Sequence, residues 1–278
     1  MITDAHIHIY DPFRPQGVPW PRPEERLLYR AVLPHDFRSV AAPLGVGGGL
    51  VVEASAWVED NQWVLDQARD EPCLVGEVGN LEPGSATFRV TLESLARNPL
   101  FRGIRRPCPD GSAWGQAQYL EDLGRLADLD LALDVLVYGD WSAMDWLAAQ
   151  LPTLRMVICH LGHPRTDGGA PDPAWSQGIS RAAEHPNVYC KVSGVAESAV
   201  RRPAPTDVEF YTPVLDVVWN AFGSDRVIFG SNWPVCELAA DYASVLRIAT
   251  DYARSKGRDA ADKLLARNGA AAYKWLLR

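Results

Sequence analysis

Arg155-Met156-Val157-Ile158-Cys159-His160, followed by Leu161-Gly162-His163-Pro164, is an unbroken apolar run that ends in an imidazole. A half-exposed strand would alternate apolar and polar residues. A continuous run is what a parallel strand covered on both faces requires. The same reading applies outward along the chain to Ile2 to Ile9, Gly49 to Ala54, Cys73 to Val78, Phe101 to Arg105, Leu131 to Val137, Asn187 to Val192 and Arg226 to Gly230. Between these runs lie segments of helical period, such as Phe88, Leu92 and Leu95 before Asn98-Pro99, or Leu120, Leu123 and Ala127 before Asp128. Asp140 caps a run carrying Met144 and Leu147 that Pro152 ends, and Asp172-Pro173 opens one carrying Trp175 and Ile179. Eight strand-then-helix units predict a closed (β/α)8 TIM barrel, with an open doubly wound sheet as the alternative.

A single barrel spans residues 1 to 278, and nothing demands a second domain. The segment from Asp11 to Glu25 holds Pro12, Pro15, Pro19, Pro21 and Pro23, too many for a helix, and is expected to lie near the barrel mouth. Against 35 acidic residues stand 27 basic ones, without a Lys/Arg block, so nucleic acid and anionic membranes are not expected partners. No apolar run has the roughly 18 residues that cross a bilayer, and Met1 leads directly into a strand pattern, so a cytoplasmic location is expected. The five cysteines contain no C-x-x-C, which points to neither disulfides nor a zinc knuckle.

In a (β/α)8 barrel the chemistry sits at the carboxyl ends of the strands. Polar residues at those ends are His6 and His8, Glu53, Glu77, Arg105 and Arg106, Asp134, His160, Lys191 with Ser193, and Ser231-Asn232-Trp233-Pro234. His6 and His8, two apart on a strand, project to one side, where they can converge on one divalent ion or one substrate. His163 follows His160 by three residues, and His35 and His185 read as ordinary surface residues.

Asp4-Ala5-His6-Ile7-His8, Phe101-Arg102-Gly103-Ile104-Arg105, His160-Leu161-Gly162-His163-Pro164, Asn187 to Gly194 and Ile228 to Val235 occur in this order. Together they resemble the amidohydrolase-2 branch of the amidohydrolase superfamily. The nearest likeness is to its sugar-lactone hydrolases, of the L-fuconolactonase, L-rhamnonolactonase and 2-pyrone-4,6-dicarboxylate lactonase type. The resemblance implies a metal-dependent-hydrolase-like barrel in which His6, His8 and His160 surround the substrate carbonyl, directly or as ligands of a divalent metal, zinc first. Metal-independent catalysis is the other expectation. A carboxylate on strand eight would activate water, in a pattern reading Gly-Ser-Asp-Trp-Pro.

This chain departs from the pattern there, because Asn232 stands in the acidic position. An amide can orient water but cannot accept its proton. The expected catalytic set is therefore His160, Asn232 and Glu53, with Glu77 or His160 as other candidates for the base. Arg105, Lys191, Trp233 and Trp57 are expected to bind substrate, the cations through a carboxylate and the indoles by stacking on a sugar face. The implied reaction is hydrolysis of a sugar-derived, aldonate-type lactone. Lactone isomerisation is the alternative, ahead of decarboxylation or a barrel without catalysis. Oligomeric state is left open.

Overall fold

The computed structural model describes residues 1–108 and 117–275. Eight strands pair in chain order: β1 (Ile2–Ile7), β2 (Val46–Val52), β3 (Leu74–Gly79), β4 (Phe101–Pro107), β5 (Ala132–Leu136), β6 (Arg155–Ile158), β7 (Val188–Val192) and β8 (Val227–Phe229). Every paired neighbour is parallel. The ring closes between β1 and the segment that leaves β8. Ile7 bridges Trp233 in parallel, the His8 N–H donates to the Trp233 carbonyl at 2.8 Å, and the Asn232 N–H donates to the His6 carbonyl at 2.9 Å. That closure is the expected (β/α)8 barrel and removes the free edges an open sheet would carry.

The strands are wrapped by α1 (Pro34–Ala41), α2 (Glu59–Arg69), α3 (Phe88–Leu95), α4 (Ala117–Asp128), α5 (Trp141–Gln150), α6 (Pro173–Ala183), the single turn α7 (Val195–Ser198), α8 (Val208–Phe222) and α9 (Tyr242–Ser255). α10 (Arg258–Asp262) and α11 (Asn268–Tyr273) complete the set. Caps fall where the sequence places them: Asp140 accepts from the N–H groups of Ser142 and Ala143, and Asp172 from that of Trp175 with Pro173 in the first turn. Five strands end one or two residues earlier than their apolar runs, β2 at Val52, β5 at Leu136 and β8 at Phe229 among them. β1 stops at Ile7 because His8 and Ile9 turn to meet the β8 segment, and β6 stops at Ile158 because the chain enters a left-handed turn. Inside the barrel Ala5, Leu50, Val52, Val75, Val78, Ala132, Val157 and Ile228 pack together, and Tyr273 and Trp275 join this cluster from the C-terminal segment. No helix among the described residues is long and apolar enough to cross a membrane.

Candidate active site

β1 delivers His6 and His8 to one side of the barrel, as their spacing requires, with ring centroids 5.1 Å apart. Gly230, just past β8, leaves room for them: a Cβ there would lie 2.6 Å from the His6 Cβ. His8 Nδ1 lies 2.8 Å from the Val52 carbonyl. A carbonyl only accepts, so the proton sits on Nδ1 and the lone pair on Nε2. That lone pair faces Asn232 Oδ1 at 3.2 Å. Asn232 is held with φ of 63°, and its Nδ2 donates to Glu197 Oε1 at 2.8 Å.

His6 has the opposite arrangement. Lys191, which can only donate, places Nζ 3.3 Å from His6 Nδ1, which assigns the imidazole proton to Nε2. His6 Nε2 is in turn 3.5 Å from Arg105 Nη1, so two N–H donors face one region. Arg105 is fixed by Glu53, whose Oε1 accepts from Nε and whose main-chain carbonyl accepts from Nη2, both at 2.8 Å.

His160 comes from the turn after β6, its ring centroid 4.6 Å from that of His6. His160, Leu161 and His163 all take left-handed backbone conformations, with φ of 53°, 55° and 58°. Such conformations cost a non-glycine residue about 1 kcal/mol or more, and they persist only where contacts hold them. Ser193 supplies one such contact: its Oγ accepts the His160 N–H at 3.1 Å and lies 3.0 Å from His160 Nδ1. Gly194, with φ of 62°, packs so closely that a Cβ would come within 3.1 Å of His160 Cβ.

Burial lowers the pKa of all three imidazoles, that of His8 to about 3, and the neighbouring Lys191, Arg105 and other histidines push the same way. All three are neutral at physiological pH. Burial also raises two carboxyls nearby: Asp4, whose Oδ1 accepts the His6 main-chain N–H, to about 6, and Glu197 to about 7 despite its bond from Asn232.

Arg105, His160, Glu197 and Asn232 open onto a cavity of about 480 Å³ that Tyr138 and His163 also line, with His6 buried behind them. A second lobe of about 280 Å³ shares Arg105, His160 and Asn232 and adds His8 and Trp20. Trp20 belongs to the proline-rich segment. Tyr138 stacks on His163 at 4.5 Å.

Other residues singled out in the sequence lie elsewhere. Glu53 is committed to Arg105. Glu77 is 1% exposed, with neither carboxylate oxygen bonded among the described residues, beside a small pocket that Arg14 also lines. Lys191 is wholly buried, its Nζ 2.7 Å from Asp134 Oδ2, while Asp134 also accepts from the Tyr273 hydroxyl. Trp233 turns its indole into the core against Phe37 and donates Nε1–H to Glu237, and Trp57 lines neither lobe. Arg106 pairs with Glu82 and Asn80. His35 is exposed beside Asp36, and His185 pairs with Asp145 at the surface. Glu197 was not among the residues expected from sequence. It sits on α7, past the end of the β7 motif, and its only signal is an acidic residue in the otherwise small and apolar stretch Gly194-Val195-Ala196.

By spacing alone, His6, Asp134 and Cys159 could hold a metal ion, since their ligand atoms lie within 4.8 Å of one another. The Lys191 ammonium already bonds two of the three, and the third is a thiol that burial keeps protonated. The other set, His6, His8 and His160, consists of neutral donors. In it His6 Nδ1 faces the Lys191 ammonium and His6 Nε2 the Arg105 guanidinium. A divalent ion at either set would displace the Lys191 ammonium or require His6 to take the other tautomer.

The family model described as Amidohydrolase matches residues 3–275. An L-fucono-1,5-lactonase of Burkholderia ambifaria is 34% identical over 243 residues, covering 86% of this chain and 82% of that protein. An L-rhamnono-gamma-lactonase of Scheffersomyces stipitis is 31% identical over 137 residues, 44% of this chain and 40% of that one. A crystal structure of a Burkholderia multivorans amidohydrolase with bound zinc superposes with a TM-score of 0.87 at 25% identity, covering 99% of this chain and 100% of the other. Matched along nearly its whole length in sequence and fold, the chain belongs to the amidohydrolase family and is a hydrolase built on a (β/α)8 barrel.

Proposed function

We propose that the protein opens a sugar-derived, aldonate-type lactone by attack of water on the ring ester. The observation that carries this reading is a pair of complementary polar contacts beside one cavity. On one side, His6 Nε2 and Arg105 Nη1 stand 3.5 Å apart, both donors in the tautomer that Lys191 assigns to His6. On the other, His8 Nε2 and Asn232 Oδ1 stand 3.2 Å apart, both acceptors in the tautomer that the Val52 carbonyl assigns to His8. Like groups in such pairs are unfavourable until a partner of the opposite kind arrives. An ester carbonyl that becomes an oxyanion satisfies the first pair, and the O–H of an attacking water satisfies the second.

In this reading Arg105 and His6 stabilise the developing oxyanion, and Lys191 acts on His6 as a positioning residue by fixing its tautomer. Glu53 holds the guanidinium in place. His8 and Asn232 orient the water. His160, held by Ser193, faces the same space, while Trp20 and Tyr138 supply aromatic surface for a sugar ring. Arg105 keeps its expected place in substrate binding, while the stacking expected of Trp233 and Trp57 falls in this reading to Trp20 and Tyr138. The lactonase names of the relatives from Burkholderia ambifaria and Scheffersomyces stipitis support the substrate class. The water-attack mechanism uses no metal.

Asn232 favours a second reading, isomerisation, in which a substrate hydroxyl replaces water. Sugar 1,5- and 1,4-lactones assayed with a pH indicator, while lactone loss is followed separately, distinguish the two. Hydrolysis releases one equivalent of acid per lactone consumed, and isomerisation releases none.

A further inference from the structure

We infer that Glu197 is the proton acceptor of the reaction, supplying from α7 the carboxylate that position 232 lacks. This rests on the lactonase reading. Glu197 lines the same cavity as Arg105, His160 and Asn232. One of its oxygens, Oε1, is held by Asn232 Nδ2 at 2.8 Å. The other, Oε2, is buried and has no hydrogen-bond partner among the described residues. A buried carboxylate oxygen without a donor is costly, by about 1–3 kcal/mol, and is explained if a water or substrate hydroxyl fills the place during function. The amide at 232 ties the two halves of the device together, because the side chain whose Oδ1 faces the water site uses its Nδ2 to aim the carboxylate.

The other groups of the site do not serve as well. His8 at a pKa of about 3 is too weak a base, Glu53 is bound to Arg105, and Glu77 lies outside the cavity. Burial brings Glu197 to about 7, where an acceptor is half ionised at physiological pH and still basic enough to take a proton from attacking water. The groups that act on it are the Asn232 amide, Arg202, whose Nη2 donates to the Glu197 main-chain carbonyl at 3.1 Å, and the buried Tyr211 and Cys236 nearby.

The chemistry balances. Water gives one proton to Glu197 Oε2 as its oxygen bonds to the lactone carbonyl carbon, and the carbonyl π pair moves to the oxygen facing Arg105 and His6. When the oxyanion collapses, the bond to the ring oxygen breaks. Glu197 returns the proton to that oxygen, giving the hydroxy acid and the starting carboxylate. Were the nucleophile a substrate hydroxyl, the same acceptor would take its proton.

Glu197→Gln and Glu197→Asp, compared with the unaltered protein on the lactone it turns over best, provide the test. The Gln variant is expected to lose 10²–10⁴-fold in kcat with KM changed by less than about threefold, and to lose the acidic limb of the pH profile near 7. The Asp variant is expected to keep part of the rate and the limb. Glu197→Gln combined with Asn232→Asp is expected to regain activity over Glu197→Gln alone, because a carboxylate returns to the cavity. A second arm needs no substrate: infrared difference titration of the unaltered protein against Glu197→Gln is expected to show one carboxyl titrating near 7 that the variant lacks. A Gln variant that keeps the rate within threefold and the same pH profile overturns the assignment even where lactone turnover is established. So does the absence of that carboxyl in the infrared titration, whatever the substrate proves to be.

Discussion

Replacing Lys191 with methionine, a side chain of similar length, removes a buried ammonium and leaves Asp134, among the described residues, with the Tyr273 hydroxyl and the Cys159 thiol. Breaking one half of a fully buried ion pair costs about 3–5 kcal/mol, because the remaining charge has lost its compensation. With roughly 2.1 cal/mol/K of unfolding entropy per residue, a chain of 278 residues loses about 1.7 °C of Tm per kcal/mol. The expected loss is therefore about 5–8 °C at pH 7. Thermal unfolding followed by circular dichroism measures it. Adding Asp134→Asn to Lys191→Met should recover most of the deficit at pH 7. In activity, kcat should fall at least tenfold with KM nearly unchanged, because His6 is then free to take the tautomer that offers no N–H to the oxyanion. A variant within 2 °C of the parent at pH 7, or one whose only defect is a raised KM, would refute the placement of Lys191 as an internal cation.

Arg105→Ala is expected to lower kcat by about 10²–10³, the scale of losing one preorganised donor to an oxyanion, and steady-state kinetics on the best lactone would show it. Exhaustive chelation should leave activity within twofold, and elemental analysis of active protein should give well under one equivalent of divalent metal. Glu77→Gln should raise Tm at neutral pH. Burial lifts the Glu77 carboxyl well above its ordinary 4.5, so the native state holds its proton after the unfolded chain has released it, and stability falls as pH rises from about 5. The advantage of the Gln variant should accordingly grow between pH 5 and 8, and a gain independent of pH would speak against a titrating Glu77. Asn232→Asp places a second carboxyl against Glu197, and mutual repulsion should move the acidic limb of kcat/KM to higher pH.

The continuous apolar runs made the barrel legible, because only a sheet buried on both faces needs them and eight of them exhaust the chain. His8, His160 and Asn232 were legible because each stands just past a strand, at the rim, and His6 and Arg105 because each lies in the last residues of one. Lys191 was expected at the rim for the same reason. Like His6 it is the penultimate residue of its strand, but the ladder in which Lys191 pairs with Ile228 turns its side chain inward toward Asp134. Trp233 was misread because Asn232 adopts a left-handed conformation, after which the indole is directed into the core against Phe37. The pairings of Glu53 with Arg105 and of Lys191 with Asp134 join residues 52 and 57 apart in sequence, and no local pattern announces them. Glu197 escaped notice because a short helical turn, and not a strand end, carries it to the cavity.

The central claim is that an imidazole N–H and a guanidinium, without a metal, open a lactone by water attack. It is tested most directly by incubating chelator-treated protein with sugar lactones while lactone carbonyl loss and acid release are recorded together. One equivalent of acid per lactone consumed, at a rate that added zinc does not raise, is the expected result. Lactone consumed without acid, or turnover that appears only when metal is restored, would contradict it.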